Sequence, residues 1–437
     1  MTFKQVALLL GAVVAVMPAK AQTEQRMTVD ELFQLVESNS KTLREQKISV
    51  EFARKGIEAA RSQRLPDVNA SLSASYNGNV VVMDRDFTNA HGFSSPHFGN
   101  SLAVEAQQVV YAGGAIDAGI RMAELQKDMA VSNQRMTSNA QRFLALGQYL
   151  ELFKIQNRML VMEQNMELTR RLTDDIRAKH EQGMALKNDV TRYELQMETL
   201  RLALRKLQDQ RAVLNHQLCN TLGLENVSIL PDTAIVDSME NAIGPALASW
   251  QQTALAASPR VELSQISTRV AEQQLRLAKS ELLPKVAVVA ADNFSGPFTY
   301  DVPPIDKNIN YWYVGVGMKY PISALFKSNK KVHQAETGIR RTQEQQRVTA
   351  EQLDNDMQQA YTLYQQSFAE LDTQRKSVQL ARQNYQVVND RYLNQLALIT
   401  DMIDASNVRL NAELQEVDAR INVVYAFYKM KYVAGTL

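Results

Sequence analysis

Residues 68–77 read VNASLSASYN, and the fold class follows from their alternation. Val68, Ala70, Leu72, Ala74 and Tyr76 fall on one side of an extended chain, and Asn69, Ser71, Ser73, Ser75 and Asn77 fall on the other. Successive side chains of a strand point to opposite faces, so this stretch predicts a strand with one apolar and one polar surface. A second stretch behaves alike. Trp312, Val314, Val316, Met318 and Tyr320 alternate with Tyr313, Gly315, Gly317 and Lys319, with aromatic residues at both ends of the apolar side. About ten alternating residues with aromatic ends is the weak signature of a strand in a transmembrane barrel. Partner strands are expected at Ser101–Val110 and from Val286 to about Asn293, the latter alternating poorly. The Gly- and Pro-containing stretches between partners, Gly78–Phe98 and Ser295–Asn310, are long enough to be external loops.

Outward from the strands the period changes. No proline lies between Pro96 and Pro231, and none follows Pro321. An interior proline costs a helix about 3 kcal/mol, so both tracts can be very long helices. Val190, Tyr193, Met197, Leu200, Leu204, Leu207, Leu214 and Leu218 step by three and four or by seven. Leu353, Met357, Ala360, Tyr364, Leu371, Val378, Ala381, Tyr385, Val388 and Tyr392 do the same, with Ser367 and Gln374 in the interrupting slots. Such a sustained repeat implies left-handed coiled-coil packing. A helix from about Gly114 to Lys179 would be about 100 Å long, which suits a rod or tube and not a compact globule.

The chain also repeats itself. Ala53, Ala60, Ser62, Leu65, Pro66 and Val68 recur at one constant offset as Ala271, Ala278, Ser280, Leu283, Pro284 and Val286. Ala112, Ala123, Glu124, Ala185, Leu186 and Asp189 recur at a second, slightly shorter offset as Ala324, Ala335, Glu336, Ala397, Leu398 and Asp401. Each half reads helix, strand, loop, strand, very long helix, turn, helix. The expected organisation is a signal peptide over 1–21 and a first repeat over 22–222. Within that repeat a strand pair spans about 66–112 and long helices about 113–222. A linker covers 223–245. The second repeat runs over 246–437, with a strand pair at about 284–323 and long helices at about 327–435.

Lys4, the apolar run Val6–Met17 and the small-x-small Ala19-Lys20-Ala21 have the form of a secretory signal cleaved near Ala21. The run is shorter than the about 20 residues a spanning helix needs. Cys219 is the only cysteine, so neither a disulfide framework nor an acylated N-terminus is expected. A net charge of +1 offers no electrostatic case for nucleic acid. His91, His97, His180, His216 and His333 lack metal-ligand spacing, and no catalytic grouping or phosphate loop stands out, so neither a cofactor nor a metal is expected.

Four strands cannot close a barrel, and open sheet edges are not tolerated in a bilayer because unpaired backbone groups cost several kcal/mol each. Closure therefore requires several copies of the chain, and two, three or four copies all satisfy this arithmetic. The fold class expected is mainly α with a membrane β-barrel, internally duplicated.

With these features in order, the sequence resembles the TolC-like outer-membrane efflux proteins over residues 27–437. The resemblance rests on Leu65-Pro66 and Leu283-Pro284 opening strands and on Tyr111-Ala-Gly-Gly114 between strand and helix. It rests also on the duplicated turns around Gly183–Val190 and Tyr392–Ala405, and on the closing Ala434-Gly-Thr-Leu437. It implies a homotrimer with a 12-stranded β-barrel, four strands per chain, in outer-membrane lipid, continued by a periplasmic α-helical coiled-coil barrel about 100 Å long. It implies partners too: a periplasmic adaptor (membrane fusion) protein and an inner-membrane transporter of the RND or ABC type.

A conduit needs a closed state, and the turns farthest from the barrel are where closure is expected. Asn188, Asp189, Tyr392, Thr400, Asp401 and Asp404 sit there. Asp401 and Asp404 are three apart, so both carboxylates face one side of a helix. Rings of carboxylates select cations. Equally, Asn188 or Asp189, and Thr400 or Asp401, stand where helix N-caps belong. The resemblance assigns Asp401 and Asp404 to the pore constriction, and Asp189 and Tyr392 to a gate network linking neighbouring coiled coils. It also marks a departure: the family's tip arginine falls at Ala397, and a tip glycine at Gln395. The rival readings are a periplasmic coiled-coil adaptor without a pore, which should lack amphipathic strand pairs, and a periplasmic enzyme, which would need a polar catalytic cluster.

Overall fold

A computed structural model describes residues 23–225, 227–232, 245–299, 301, 303–394 and 396–437. The expected signal segment, most of the expected linker and Gln395 lie outside the described residues. The first half runs β1 (Thr23–Met27), α1 (Val29–Asn39), α2 (Lys41–Ser62), β2 (Asp67–Tyr76), β3 (Val80–Val82), β4 (His91–Phe93), β5 (Phe98–Tyr111), α3 (Ala115–Glu181) and α4 (Lys187–Leu222). After β6 (Val227–Pro231) come α5 (Leu247–Ala257), α6 (Pro259–Ser280), β7 (Lys285–Gly296), β8 (Ile309–Lys319), α7 (Ala324–Leu393) and α8 (Ile399–Ala434). No described helix is both long and apolar enough to cross a membrane. The chain forms two compact units. One holds the described residues through Arg44, Ser138–Ala254 and Asp356–Leu437; the other holds Glu45–Thr137 and Leu255–Asn355. Each unit therefore draws segments from both halves of the sequence.

In the second unit the strands form one antiparallel sheet in the order β2-β5-β7-β8. Both expected strand pairs are present, and the pairing of β5 with β7 joins the two halves. The weakly alternating segment is the strand Lys285–Gly296, placed between β5 and β8; its pattern is blurred because Val289 and Ala291 put apolar groups on both faces. The register carries the alternation of residues 68–77 across all four strands. Ala70 lies opposite Val104, Val104 opposite Asp292, and Asp292 opposite Trp312; Leu72, Leu102 and Phe294 make the next row. One face thus collects Val68, Leu72, Val104, Val288, Val314, Val316 and Met318. The other face collects Asn69, Ser71, Ser73, Ser101, Glu105, Gln107 and Asn293. Tyr76, Phe98, Phe294 and Trp312 gather toward the loop end, and a bulge between Val109 and Tyr111 returns Tyr111 to the apolar face at the other end. Asp292, exposed in the row of Trp312, is the charged exception.

The first unit is built on coiled helices. Along α7, Met357, Ala360, Tyr364, Leu371, Val378 and Ala381 are buried, as the heptad reading expects. Ser367 fills its slot by donating to the Tyr364 carbonyl at 2.7 Å. At α1 the Thr28 hydroxyl accepts from Glu31 N and the Glu31 carboxylate accepts from Thr28 N, a capping box. Leu32 and Val36 then turn inward onto Leu146, Tyr149, Leu218 and Val424.

Part of the expected linker is structured. β6 pairs in parallel with β1, so residues 227–231 belong to a two-stranded sheet. Helix side chains hold this pair, Asn215 and Tyr149 with two hydrogen bonds each. Asn215 donates to the Val227 carbonyl at 2.7 Å and accepts from Ile229 N at 2.8 Å. Tyr149, fully buried, donates to the Met27 carbonyl at 2.7 Å and accepts from Asp232 N at 2.8 Å. Burial raises its phenol pKa to about 12, so the hydroxyl keeps its proton. Tyr149→Phe removes both of these bonds but leaves Asp232 N bonded to the Met27 carbonyl at 3.2 Å, so the expected loss is that of ordinary hydrogen bonds, about 0.5–1.5 kcal/mol each. Urea unfolding in detergent measures it, and an unchanged midpoint would refute the pin.

Candidate functional site

The sequence places its candidates at two turns, and the structure brings both turns to one core in the first unit. Helix α3 ends in a left-handed residue, Gly183 at φ +76°. Gly183 N there bonds to the His180 carbonyl, and Met184 N bonds to the Lys179 carbonyl at 2.8 Å. The second turn repeats the latter bond at the duplicated position, Leu396 N to the Arg391 carbonyl, also at 2.8 Å. Ile176, Val190, Tyr193, Ile399 and Met402 are buried together, with Tyr385, Val388 and Tyr392 packed against them.

The capping expectation needs a correction. The residues at the N-caps are Leu186 and Leu398, not Asn188, Asp189, Thr400 or Asp401. A leucine side chain cannot accept a hydrogen bond, so the aspartate at the third helical position reaches back instead. Asp189 Oδ2 accepts from Leu186 N at 3.3 Å and Asp401 Oδ2 accepts from Leu398 N at 3.0 Å. This is one half of a capping box, and it also sets a negative charge at a helix start. Asp404, one turn later on the same face as Asp401, is exposed. Asp189 is half-buried.

Asp189 and Tyr392 are brought together without a direct hydrogen bond between them. Burial raises the Tyr392 phenol, and the Asp189 charge nearby raises it further. Lys179 Nζ lies 5.2 Å over the Tyr392 ring, a cation–π contact from α3 to α7. Burial likewise raises Tyr385 and, strongly, Tyr193, so at neutral pH all three are protonated. The Tyr193 hydroxyl is buried without a partner among the described residues.

Sequence reasoning missed one cluster. Glu413 is 8% exposed, and it accepts from Arg382 at 3.0 Å, Arg409 at 3.3 Å and Asn165 at 3.4 Å. The ties join α3, α7 and α8 through one carboxylate, and the Arg409 guanidinium also stacks 4.7 Å from Tyr385. The available signal was a charge inside the apolar run Leu410, Leu414, Val417, with an arginine one turn before it. Past the core, Met184, Leu186, Leu396 and Leu398 are exposed, Leu186 and Leu396 at 70% each. Among the described residues no group of three or more His, Cys, Asp or Glu could hold a metal ion.

A family model described as outer membrane efflux protein matches residues 32–224 and 250–436, once in each half. No curated protein matches the sequence. Among solved structures, VceC from Vibrio cholerae aligns at 15% identity over 93% of this chain and 96% of its own, TM-score 0.74. CusC aligns at 14% identity over 93% and 91%, TM-score 0.79. CmeC from Campylobacter jejuni aligns at 13% over 93% and 85%, TM-score 0.73. At these identities the likeness is one of fold.

Proposed function

The chain belongs to the outer membrane efflux protein family, whose members are passive channels and not enzymes, and from that premise we propose that it is one subunit of a homotrimeric export duct. The observation that carries this reading is the sheet. A mainly apolar face that crosses all four strands, broken by Asp292 and Gln108 and opposed by Asn, Ser, Gln and Glu, suits lipid on one side and water on the other. Among the described residues, strands β2 and β8 have no partner at their outer edges, and both are exposed along their whole length. In a bilayer those backbone groups need partners, and the β8 edge of one copy is the natural partner for β2 of the next. Three copies close twelve strands. The helices carry a second apolar line as well. Leu195 and Leu202 on α4, and Leu380 and Val387 on α7, are exposed seven residues apart and are available to neighbouring copies.

In this reading the chain reaches the outer membrane of a Gram-negative-type cell after cleavage near Ala21, without lipid attachment. Its hairpin tips close the duct. Asp401 and Asp404 contribute a ring of carboxylates, and Asp189 and Tyr392 contribute the contacts between neighbouring coiled coils. Tyr392 is protonated and can donate, and Asp189 can accept. With alanine at position 397 the closed tip relies on these groups and not on an arginine. The exposed leucines and methionine at the tips are offered to a periplasmic adaptor, which would connect the duct to an inner-membrane transporter of the RND or ABC type. What is exported is then chosen by that transporter.

The test is fractionation followed by electrophysiology. The protein is expected in the outer membrane as an oligomer of three chains that migrates as a trimer unheated and as a monomer after boiling. It should give single channels in planar bilayers. A soluble periplasmic monomer would end this reading in favour of the adaptor.

A further inference from the structure

A cavity of about 750 Å3 lies within the second unit between α6 and the start of α3, lined by Gly113, Asp117, Arg121, Arg269, Glu272, Gln273, Arg276 and Lys279 among others. Its charged groups are not used up by one another. Asp117 pairs with Arg64 at 2.6 Å and Arg121 with Glu124 at 2.7 Å. Arg269, Glu272, Arg276 and Lys279 are exposed and form no ion pair with a described residue. Gln273 is the buried member, 7% exposed, and its Oε1 has no hydrogen-bond partner among the described residues. A buried acceptor left unpaired is unfavourable, and a ligand donor would remove that cost.

The geometry separates two chemistries on one surface. Residues 269, 272, 273, 276 and 279 follow the i, i+3, i+4, i+7, i+10 spacing of one face of α6, and those three or four apart lie about 5–6 Å from one another. Arg269, Arg276 and Lys279 present cations, and Glu272 and Gln273 Oε1 present acceptors between them. The N-terminus of α3 faces the same space, and its free amide groups favour an anion. That terminus is held close by Gly113. At φ +61° a Cβ there would come within 2.9 Å of Leu283 Cβ and 3.0 Å of the Ser280 carbonyl, so the turn requires glycine. The duplicated helix does not repeat the pattern. In α2 the counterparts of Gln273 and Arg276 are Lys55 and Glu58, which neutralise each other at 3.0 Å, and Arg61, the counterpart of Lys279, pairs with Glu124.

We propose that this cavity binds a phosphoethanolamine-class group: a phosphate held by Arg269, Arg276 and Lys279, and the adjoining primary amine held by Gln273 Oε1 and Glu272. Two sources carry that chemistry, a phospholipid headgroup and its soluble glycerol ester. α6 ends at Ser280 and β7 begins at Lys285. If β7 spans the bilayer, which rests on the channel reading, the cavity sits at headgroup level on the helical side of the sheet.

The experiment uses the full oligomer in detergent and in nanodiscs. Binding of glycerophosphoethanolamine is followed by calorimetry, and retained lipid by native mass spectrometry with phosphatidylethanolamine against phosphatidylglycerol. Wild type is expected to retain phosphatidylethanolamine in preference. Arg276→Gln with Lys279→Gln, both exposed, should weaken either form at least tenfold, and Gln273→Met should abolish the preference for the amine-bearing lipid. Tight binding of the soluble ester assigns a soluble ligand; retention of lipid alone assigns a headgroup. Equal retention of both lipids in wild type, or retention unmoved by the double variant, would overturn the proposal. Conductance recorded on the same preparation keeps the two readings apart, since loss of channels alone sinks the duct and leaves the site standing.

Discussion

Arginine in place of Val314 is expected to remove the protein from the outer membrane, whereas arginine in place of the adjoining Gly315 is expected to leave it there. Val314 is 65% exposed at the middle of β8 and shares the apolar face with Val316 and Met318. Gly315 points to the other face, and a Cβ there meets nothing within 4 Å. If the apolar face meets lipid, each Val314→Arg costs about 2–4 kcal/mol near the bilayer midplane, while a charge on the watery face costs little. A trimer takes that cost three times, comparable to the total stability of a typical domain. The two substitutions differ by one residue in position and by nothing in charge, so general instability affects both alike. Equal outer-membrane levels of both variants would show that the face does not meet lipid.

The second large effect is expected at the tip. Asp401→Ala with Asp404→Ala should raise single-channel conductance severalfold and weaken block by multivalent cations. The structure divides the pair. Asp401 carries a structural duty, accepting from Leu398 N, and its loss frays the start of α8 by about 1 kcal/mol per copy. Asp404 makes no such bond and contributes charge. Asp404→Asn should therefore relieve cation block with an unchanged thermal midpoint, and Asp401→Ala should lower that midpoint as well as raise conductance. Unchanged conductance and unchanged block in the double variant would remove both residues from the constriction.

Much of this was legible because the relevant signals are local. Alternation in residues 68–77 and 312–320 states which residues share a strand face, since the period of two is built into the extended backbone. Long proline-free tracts with heptad spacing state that helices coil together. The internal recurrence correctly paired Leu186 and Asp189 with Leu398 and Asp401. The N-cap expectation for Asn188 or Asp189 and for Thr400 or Asp401 falls two or three positions too late, because propensity favours Asn, Asp and Thr at the N-cap while an exposed leucine occupies it in both turns.

The sequence by itself determined the two kinds of periodicity, the duplication and the existence of both strand pairs, for these depend on the intrinsic geometry of strand and helix. Only the tertiary structure decided that β5 pairs with β7 and makes one sheet from two halves, that part of the linker is a strand held by Tyr149 and Asn215, and that Glu413 ties three helices together. Those outcomes depend on hydrogen bonds between residues far apart in the chain, and a backbone donor or a buried carboxylate has no sequence signal that names its distant partner. The apolar strand face read from residues 68–77 is thus a local property. Its extension to Trp312 through Val104 and Asp292 is a matter of register, which pairing alone sets.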